Sequence, residues 1–236
     1  MKSEKISELT TNRLSVYLRC LNQLSAAGIK SISSQAFAKQ FNLNDAQIRK
    51  DLAYFGEFGK RGVGYFVENL REHIIKILGL EVEHRVGIIG AGNLGTALAK
   101  YNGFIESGFN VVALFDNDKE KIGQQIGGNK IHIHDVKNIA RVIECEKIDV
   151  VVIAVPAKAA QTVLNQAMSA GIKAIMNFAP ARLRSRPDVK IKTVDLTISL
   201  ESLSYFLARP KKGTSVTKSR RVISYKEKTQ REERKF

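Results

Sequence analysis

Long hydrophobic runs are missing from this 236-residue chain. The longest, Val150 to Val155, falls far short of the roughly 20 residues that cross a bilayer, which excludes a spanning helix. The polar, acid-containing start MKSEKISELTTNR does not read as a secretory leader. Cysteine occurs only twice, at Cys20 and Cys145, with no CxxC spacing and no metal-like cluster, so neither a disulfide framework nor a metal site is expected. Cys20 falls in an apolar helical pattern and Cys145 just ahead of a strand pattern, as reduced thiols of a cytoplasmic protein do. Acids are also short: 23 Asp and Glu stand against 38 Lys and Arg, a net charge of +15. That imbalance points to a polyanionic partner. The excess sits at the ends, with +5 in residues 1–80 and +7 in 211–236. What is present, 44% hydrophobic residues, is enough for real cores.

The apolar pattern changes period along the chain. Leu14, Tyr17, Leu18, Leu21 and Leu24 recur at helical spacing and end near Gly28. Ser33 and Ser34 can cap a short second helix, SQAFAKQF, and Asn44 a third, DAQIRKDLAYF, with only a few residues around Asn42 between them. That is the helix–turn–helix shape. In GEFGKRGVGYFV the glycines mark a tight turn, and Val63, Tyr65 and Val67 alternate as a strand, which predicts a β-wing. A fourth helix carries Leu70, Ile74, Ile77 and Leu78 and stops at Gly79. From residue 85, RVGIIG, VVALFD, IDVVVIAVP and KAIMNFAP read as strands. A helix pattern runs through about Ser107 after the first, and another spans roughly 158–170. Strands alternating with helices predict βαβ units and a parallel sheet. A last apolar helix, LTISLESLSYFLA, precedes a charged tail that reads as solvated and disordered.

The chain is therefore α/β: a winged helix–turn–helix DNA-binding domain over 1–80, a Rossmann-like parallel-sheet domain for NAD(H) over 81–195, a helix over 196–210 and a basic tail over 211–236. Gly90-Ala91-Gly92-Asn93-Leu94-Gly95 follows a strand and opens a helix. Gly90 allows the tight turn, Gly92 clears the approach of a pyrophosphate, and Gly95 lets helix and strand pack closely. Asp116, at the end of the next strand, can accept both ribose hydroxyls and repels a 2′-phosphate, which selects NAD(H) over NADP(H). The loops at Val155-Pro156 and Asn177-Phe178-Ala179 close later strands and are expected at the nicotinamide side.

On the third helix, Ile48, Leu52 and Phe55 form the inward face. Ala46, Lys50 and Ala53 point outward with Gln47 and Arg49 beside them, a face that can enter a major groove. Lys60 and Arg61 fall at the wing tip, suited to phosphates or a minor groove. Arg13 is a weaker phosphate candidate.

These pieces resemble the Rex family of redox-sensing transcriptional repressors over residues 10–210. QIRKDLAYFGEFGKRGVGY looks like that family's recognition helix and wing, and GAGNLGTALAKYNGF, NFAPARL and VDLTISLESLSYFL look like further family motifs. The resemblance implies a homodimer in which the last helix is swapped between the partner's two domains. It also implies that NADH binding rearranges the dimer and releases palindromic operator DNA, while NAD competes with little releasing power. Carried onto matching positions, Arg19, Tyr101 and Asp195 become the switch, Asp195 of one subunit changing partners between Tyr101 and Arg19.

Three other functions remain open on the residues alone. A small NAD-dependent oxidoreductase is opposed by the lack of a substrate domain, of a Tyr-x-x-x-Lys pair and of an evident His/acid pair. His132 and His134 alternate on a strand pattern as solvated side chains, and His73 and His84 flank the domain boundary. A CoA- or nucleotide-binding module is opposed by Asp116. A DNA-binding protein with a Rossmann domain used only as scaffold would fail to respond to NADH.

Overall fold

A computed structural model describes residues 6–208. The chain divides between Val194 and Asp195 into two compact units. The basic tail lies outside the described residues.

The first unit begins with helix α1 (Glu8–Ala26), started by Ser7, whose hydroxyl accepts the Thr10 N–H at 3.1 Å. Its stripe of Leu14, Tyr17, Cys20, Leu21 and Leu24 is buried. A short strand, β1 (Ser31–Ile32), leads to α2 (Ser34–Phe41) and α3 (Asp45–Phe55), capped by the Ser33 hydroxyl and the Asn44 amide oxygen as their residue types predict. Asn42 makes the turn between them with φ of 53°, a conformation asparagine tolerates well. The hairpin β2 (Gly59–Lys60) and β3 (Gly64–Phe66) forms the wing, and β1 adds a third strand in the order β1-β3-β2. Helix α4 (Val67–Ile77) then packs on α1. Phe37, Ile48, Leu52, Val67, Leu70 and Ile74 fill this core, each worth about 1.5–3 kcal/mol against exposure.

The predicted wing alternation needs correction. Only Tyr65 points inward from a strand; Val63 is exposed in the turn, and Val67 is buried as the first residue of α4. Three residues separate the tip from the helix, too few for a longer strand.

The rest of the unit is a seven-stranded sheet. In chain order come β4 (His84–Ile89), α5 (Asn93–Ala99), α6 (Asn102–Ile105), β5 (Phe109–Asp116), β6 (Gln125–Ile126), β7 (Ile131–Asp135), a 3₁₀ turn (Val136–Asn138), α7 (Ile139–Cys145), β8 (Val150–Ile153), α8 (Ala157–Ser169), β9 (Ala174–Asn177) and β10 (Lys190–Thr193). The order is β10-β9-β8-β4-β5-β7-β6, parallel throughout except for β6 on β7. Among the parallel strands succession runs outward from β4 in both directions, so the crevice between the ends of β4 and β8 is a topological switch point, where such sheets bind ligands. Apolar side chains are buried on both sheet faces, as expected of parallel strands. Several elements differ from the sequence reading, among them α7, which forms where no helix was expected. The helix after the glycine loop breaks at Lys100–Tyr101 into α5 and α6, and Lys190–Thr193 supplies an edge strand that carries only one half-buried apolar residue, Ile191.

The second unit is α9 (Leu196–Ala208), with the Asp195 carboxylate accepting the Thr197 N–H at 2.8 Å. Leu196, Ile198, Leu200, Leu203, Phe206 and Leu207 are each at least 60% exposed on it.

Candidate functional site

The glycine loop joins β4 to α5 at the switch point. A Cβ on Gly90, whose φ is 105°, would collide with the Ala154 carbonyl, and one on Gly95 would collide with the Gly90 carbonyl. A Cβ on Gly92 would meet nothing within 4 Å. The first and third glycines thus serve the packing of strand, loop and helix, and the second leaves an open face beside the first-turn N–H groups of α5, which no helix satisfies from within. Asn93 and Leu94 are exposed on that turn, and Ala91 is buried.

Asp116 ends β5 next to this loop. Its Oδ2 accepts the Ala91 N–H at 2.8 Å, and its Oδ1 accepts the N–H groups of Asn117 at 2.8 Å and Asp118 at 3.0 Å. Burial would raise this carboxyl, but those amides and the Lys121 ammonium, 3.5 Å from Oδ2, hold it below the usual carboxylate range. Asp116 is therefore a charged anchor of the glycine loop. Lys121 was missed in the sequence; it lies in the turn after β5, also 3.4 Å from Asp118.

Val155 and Phe178 are half-buried and Pro156 is exposed at the ends of β8 and β9. Asn177 and Ala179 are turned inward in this loop. Asn177 is fully buried: its amide donates to the Ala179 carbonyl at 3.0 Å and its oxygen accepts the Ala179 N–H at 2.9 Å. Its side chain shapes the loop from inside, and the neighbouring Phe178 packs half-buried against the sheet core.

Arg19 and Tyr101 line one cleft of about 530 Å³, together with Asn22, Phe104, Val152 and Met176. The Tyr101 ring is 59% exposed and stands edge-on to Phe104. Asp195 belongs to the second unit, where it caps α9.

Elsewhere in the unit, α3 and the wing enclose a concavity of about 520 Å³, lined by Ser34, Arg49, Ala53, Lys60, Arg61 and Gly62 among others. Ala46, Lys50 and Ala53 are exposed on α3. Arg49 is exposed too, but it is steered by Asp45 at 2.7 Å and by the Ser34 hydroxyl at 3.0 Å. Gln47 is half-buried and gives its amide N–H to Asp51 at 2.8 Å. Lys60 lies 5.5 Å over the Phe66 ring. Arg13 departs most from expectation. Its guanidinium grips Asp51 through Nε at 2.5 Å and Nη2 at 2.8 Å, with the side chain still one-third exposed.

Comparison with known proteins bears on both faces. Residues 5–53 match a family described as putative DNA-binding protein N-terminus, and residues 81–181 match a family described as CoA binding domain. The chain is 46% identical to the redox-sensing transcriptional repressor Rex of Desulfitobacterium hafniense, over 87% of this chain and 97% of that protein. It is 48% identical to that of Syntrophomonas wolfei, over 88% and 98%. Among solved structures it resembles RSP, a Rex-family repressor, in complex with β-NAD+ and operator DNA, with a TM-score of 0.82 and 38% identity over 87% of this chain and 94% of the other. RSP in complex with β-NADH gives a TM-score of 0.77, with 37% identity over 87% and 95%.

Proposed function

The chain belongs to the Rex family of redox-sensing transcriptional repressors, and from that premise we infer how its two faces work together. It is a repressor and not an enzyme; it binds operator DNA as a homodimer and is released when NADH binds. The observation that carries this reading is the joining, in one compact unit, of a glycine-loop crevice at a switch point with a capped helix–turn–helix and wing. The relatives' repressor names and RSP's ligands support the same assignment, with NADH and NAD as cofactors. A cytoplasmic location follows from a DNA-binding role, and no helix among the described residues is long and apolar enough to cross a membrane.

Residues 1–80 act as the DNA-binding domain, 81–195 as the dinucleotide domain and 196–210 as the swapped dimerisation helix. Gly92 and the first turn of α5 receive the pyrophosphate, Asp116 the adenine ribose, and Val155, Pro156 and Phe178 border the nicotinamide. Asn177 and Ala179 hold that last loop in shape. Lys50, Arg49 and Gln47 read bases, and Lys60 and Arg61 hold phosphates. Replacing Lys50 with alanine is expected to cost about 1–3 kcal/mol of discrimination between operator and other duplexes. Lys60→Ala or Arg61→Ala should instead weaken every duplex alike and lower the salt slope by about one. Titrations at several salt concentrations check this, and equal small losses at all three positions would leave α3 a merely solvated face.

The decisive test of the sensor is linkage. If NADH favours a dimer whose reading helices are wrongly spaced, ligand and operator must weaken each other by the same factor, with about 1–3 kcal/mol typical. Operator titration at several fixed NADH concentrations reads that factor directly. Curves that do not shift would refute the sensor. In the same assay Arg19→Ala should bind operator and NADH but release poorly, because an Arg19–Asp195 ion pair between subunits holds the released state. Normal release by that variant would remove only the switch assignment.

A further inference from the structure

Asp51, at 4% exposure, is the one buried charged residue among the described residues, and neither binding face uses it. Four donors converge on its carboxylate, two on each oxygen. Oδ2 receives the Arg13 Nε–H at 2.5 Å and the Tyr17 hydroxyl at 2.9 Å; Oδ1 receives the Arg13 Nη2–H and the Gln47 amide, both at 2.8 Å. Arg13 and Tyr17 are four residues apart on α1, and Gln47 and Asp51 four apart on α3, so each pair shares one face of its helix. Arg13 Nη2 also donates to the Thr10 hydroxyl at 3.2 Å, which fixes the guanidinium on its own helix.

Stability is a weak reason for such a group. Well-packed apolar residues often replace a buried ion pair at no cost, because desolvation offsets the attraction. Directionality is what apolar packing lacks. The apolar contacts of Ile48 and Leu52 with the core carry no directional bond, whereas a two-pronged guanidinium–carboxylate pair fixes rotation as well as distance. The same carboxylate holds Gln47, one turn toward the start of α3 and next to the exposed reading face, in one rotamer. A side chain already ordered loses less conformational entropy on meeting a base.

We propose that Asp51 is the positioning residue of the reading helix: it sets the rotation of α3 on α1 through Arg13 and Tyr17 and presents Gln47 to the groove, without touching DNA itself. This rests on the reading of α3 as the operator-binding helix. The carboxylate stays charged in this role: burial would raise it, but Arg13, Gln47 and Tyr17 hold it below the usual range.

The test uses full-length protein without NADH, a duplex selected by the wild type from a palindromic library, and a scrambled duplex of equal length. Asp51→Asn should bind the selected duplex about tenfold more weakly and the scrambled one within about twofold of wild type, the scale of one lost base contact. Its NADH affinity should be unchanged. Arg13→Lys keeps the charge and the half-exposed position but lacks the fork; it should lose selectivity by about threefold in the same pattern, and it serves where Asp51→Asn does not fold. Thermal melting confirms that each variant is folded at the assay temperature. Equal losses on both duplexes, or no loss on either, overturn the proposal. A flatter salt slope on the scrambled duplex in Arg13→Gln, which removes the charge that Arg13→Lys keeps, also overturns it, since that marks Arg13 as a phosphate contact. A wild type that selects no duplex removes the operator reading and this proposal together, whereas a selective wild type with an unaffected Asp51→Asn removes the proposal alone.

Discussion

A chain ended at Asp195 is expected to be a folded monomer that binds NADH with native affinity and operator DNA about 10²–10⁴-fold more weakly. The exposure of α9 is the reason. Six large apolar side chains on one 13-residue helix are each at least 60% in water, and each forgoes about 1.5–3 kcal/mol that burial would supply. A helix of that kind marks an interface, and a second copy of the chain is the occupant that a two-headed repressor requires. The loss of operator affinity is larger than any single contact, because once one reading helix is bound the other arrives at a high effective concentration. A chain ended at Pro210 keeps α9 and should remain dimeric, losing only the nonspecific affinity contributed by the positive charge of 211–236. Sedimentation of both truncations, with fluorescence titrations of NADH and of the operator, checks the division. A dimer after the cut at Asp195, or a monomer after the cut at Pro210, would assign dimerisation elsewhere.

Much of this architecture was legible because local rules and tertiary packing agree. Ser33 and Asn44 are good caps, and they cap; Ile48 and Leu52 fall on a helical stripe, and they are buried. The glycine loop was legible because each of its glycines answers a different steric demand, two from packing and one from open space. Features that escaped the sequence are those fixed by distant partners. Asp51 reads as one more polar position on a charged helix until Arg13, 38 residues earlier, folds onto it. Asn177 reads as a loop residue open to ligand, but four backbone and side-chain partners, as far away as Thr193, turn it inward. β1 and β10 are too short and too polar to show alternation; pairing with β3 and β9 creates them. The break at Lys100–Tyr101 is marked in the sequence only by the Asn102-Gly103 pair just after it.

The anchoring of Asp116 changes what its substitution should do. Read from sequence, arginine at 116 trades a ribose-binding carboxylate for a phosphate-binding cation, so NADH weakens and NADPH improves. In the structure the same carboxylate also receives three backbone N–H groups, one of them from Ala91 inside the glycine loop, and stands 3.5 Å from Lys121. Arginine would leave those amides without their acceptor and place a second cation beside Lys121. Each lost charge-assisted hydrogen bond is worth about 1.5–3 kcal/mol, so Asp116→Arg should lower NADH affinity by about 100-fold or more, with NADPH gaining little because the loop beneath both pyrophosphates has lost its tether. Asp116→Asn separates the two roles. It keeps one oxygen, enough for the Asn117 and Asp118 N–H groups but not also for that of Ala91 on the other side, and loses the charge, so NADH should fall less, by about tenfold, while the preference over NADPH narrows. Titration of both dinucleotides into both variants reads the four affinities. Unchanged NADH binding in Asp116→Arg would place the adenine ribose elsewhere, and a full switch to NADPH in that variant would mean that the carboxylate reads the ribose but does not hold the loop.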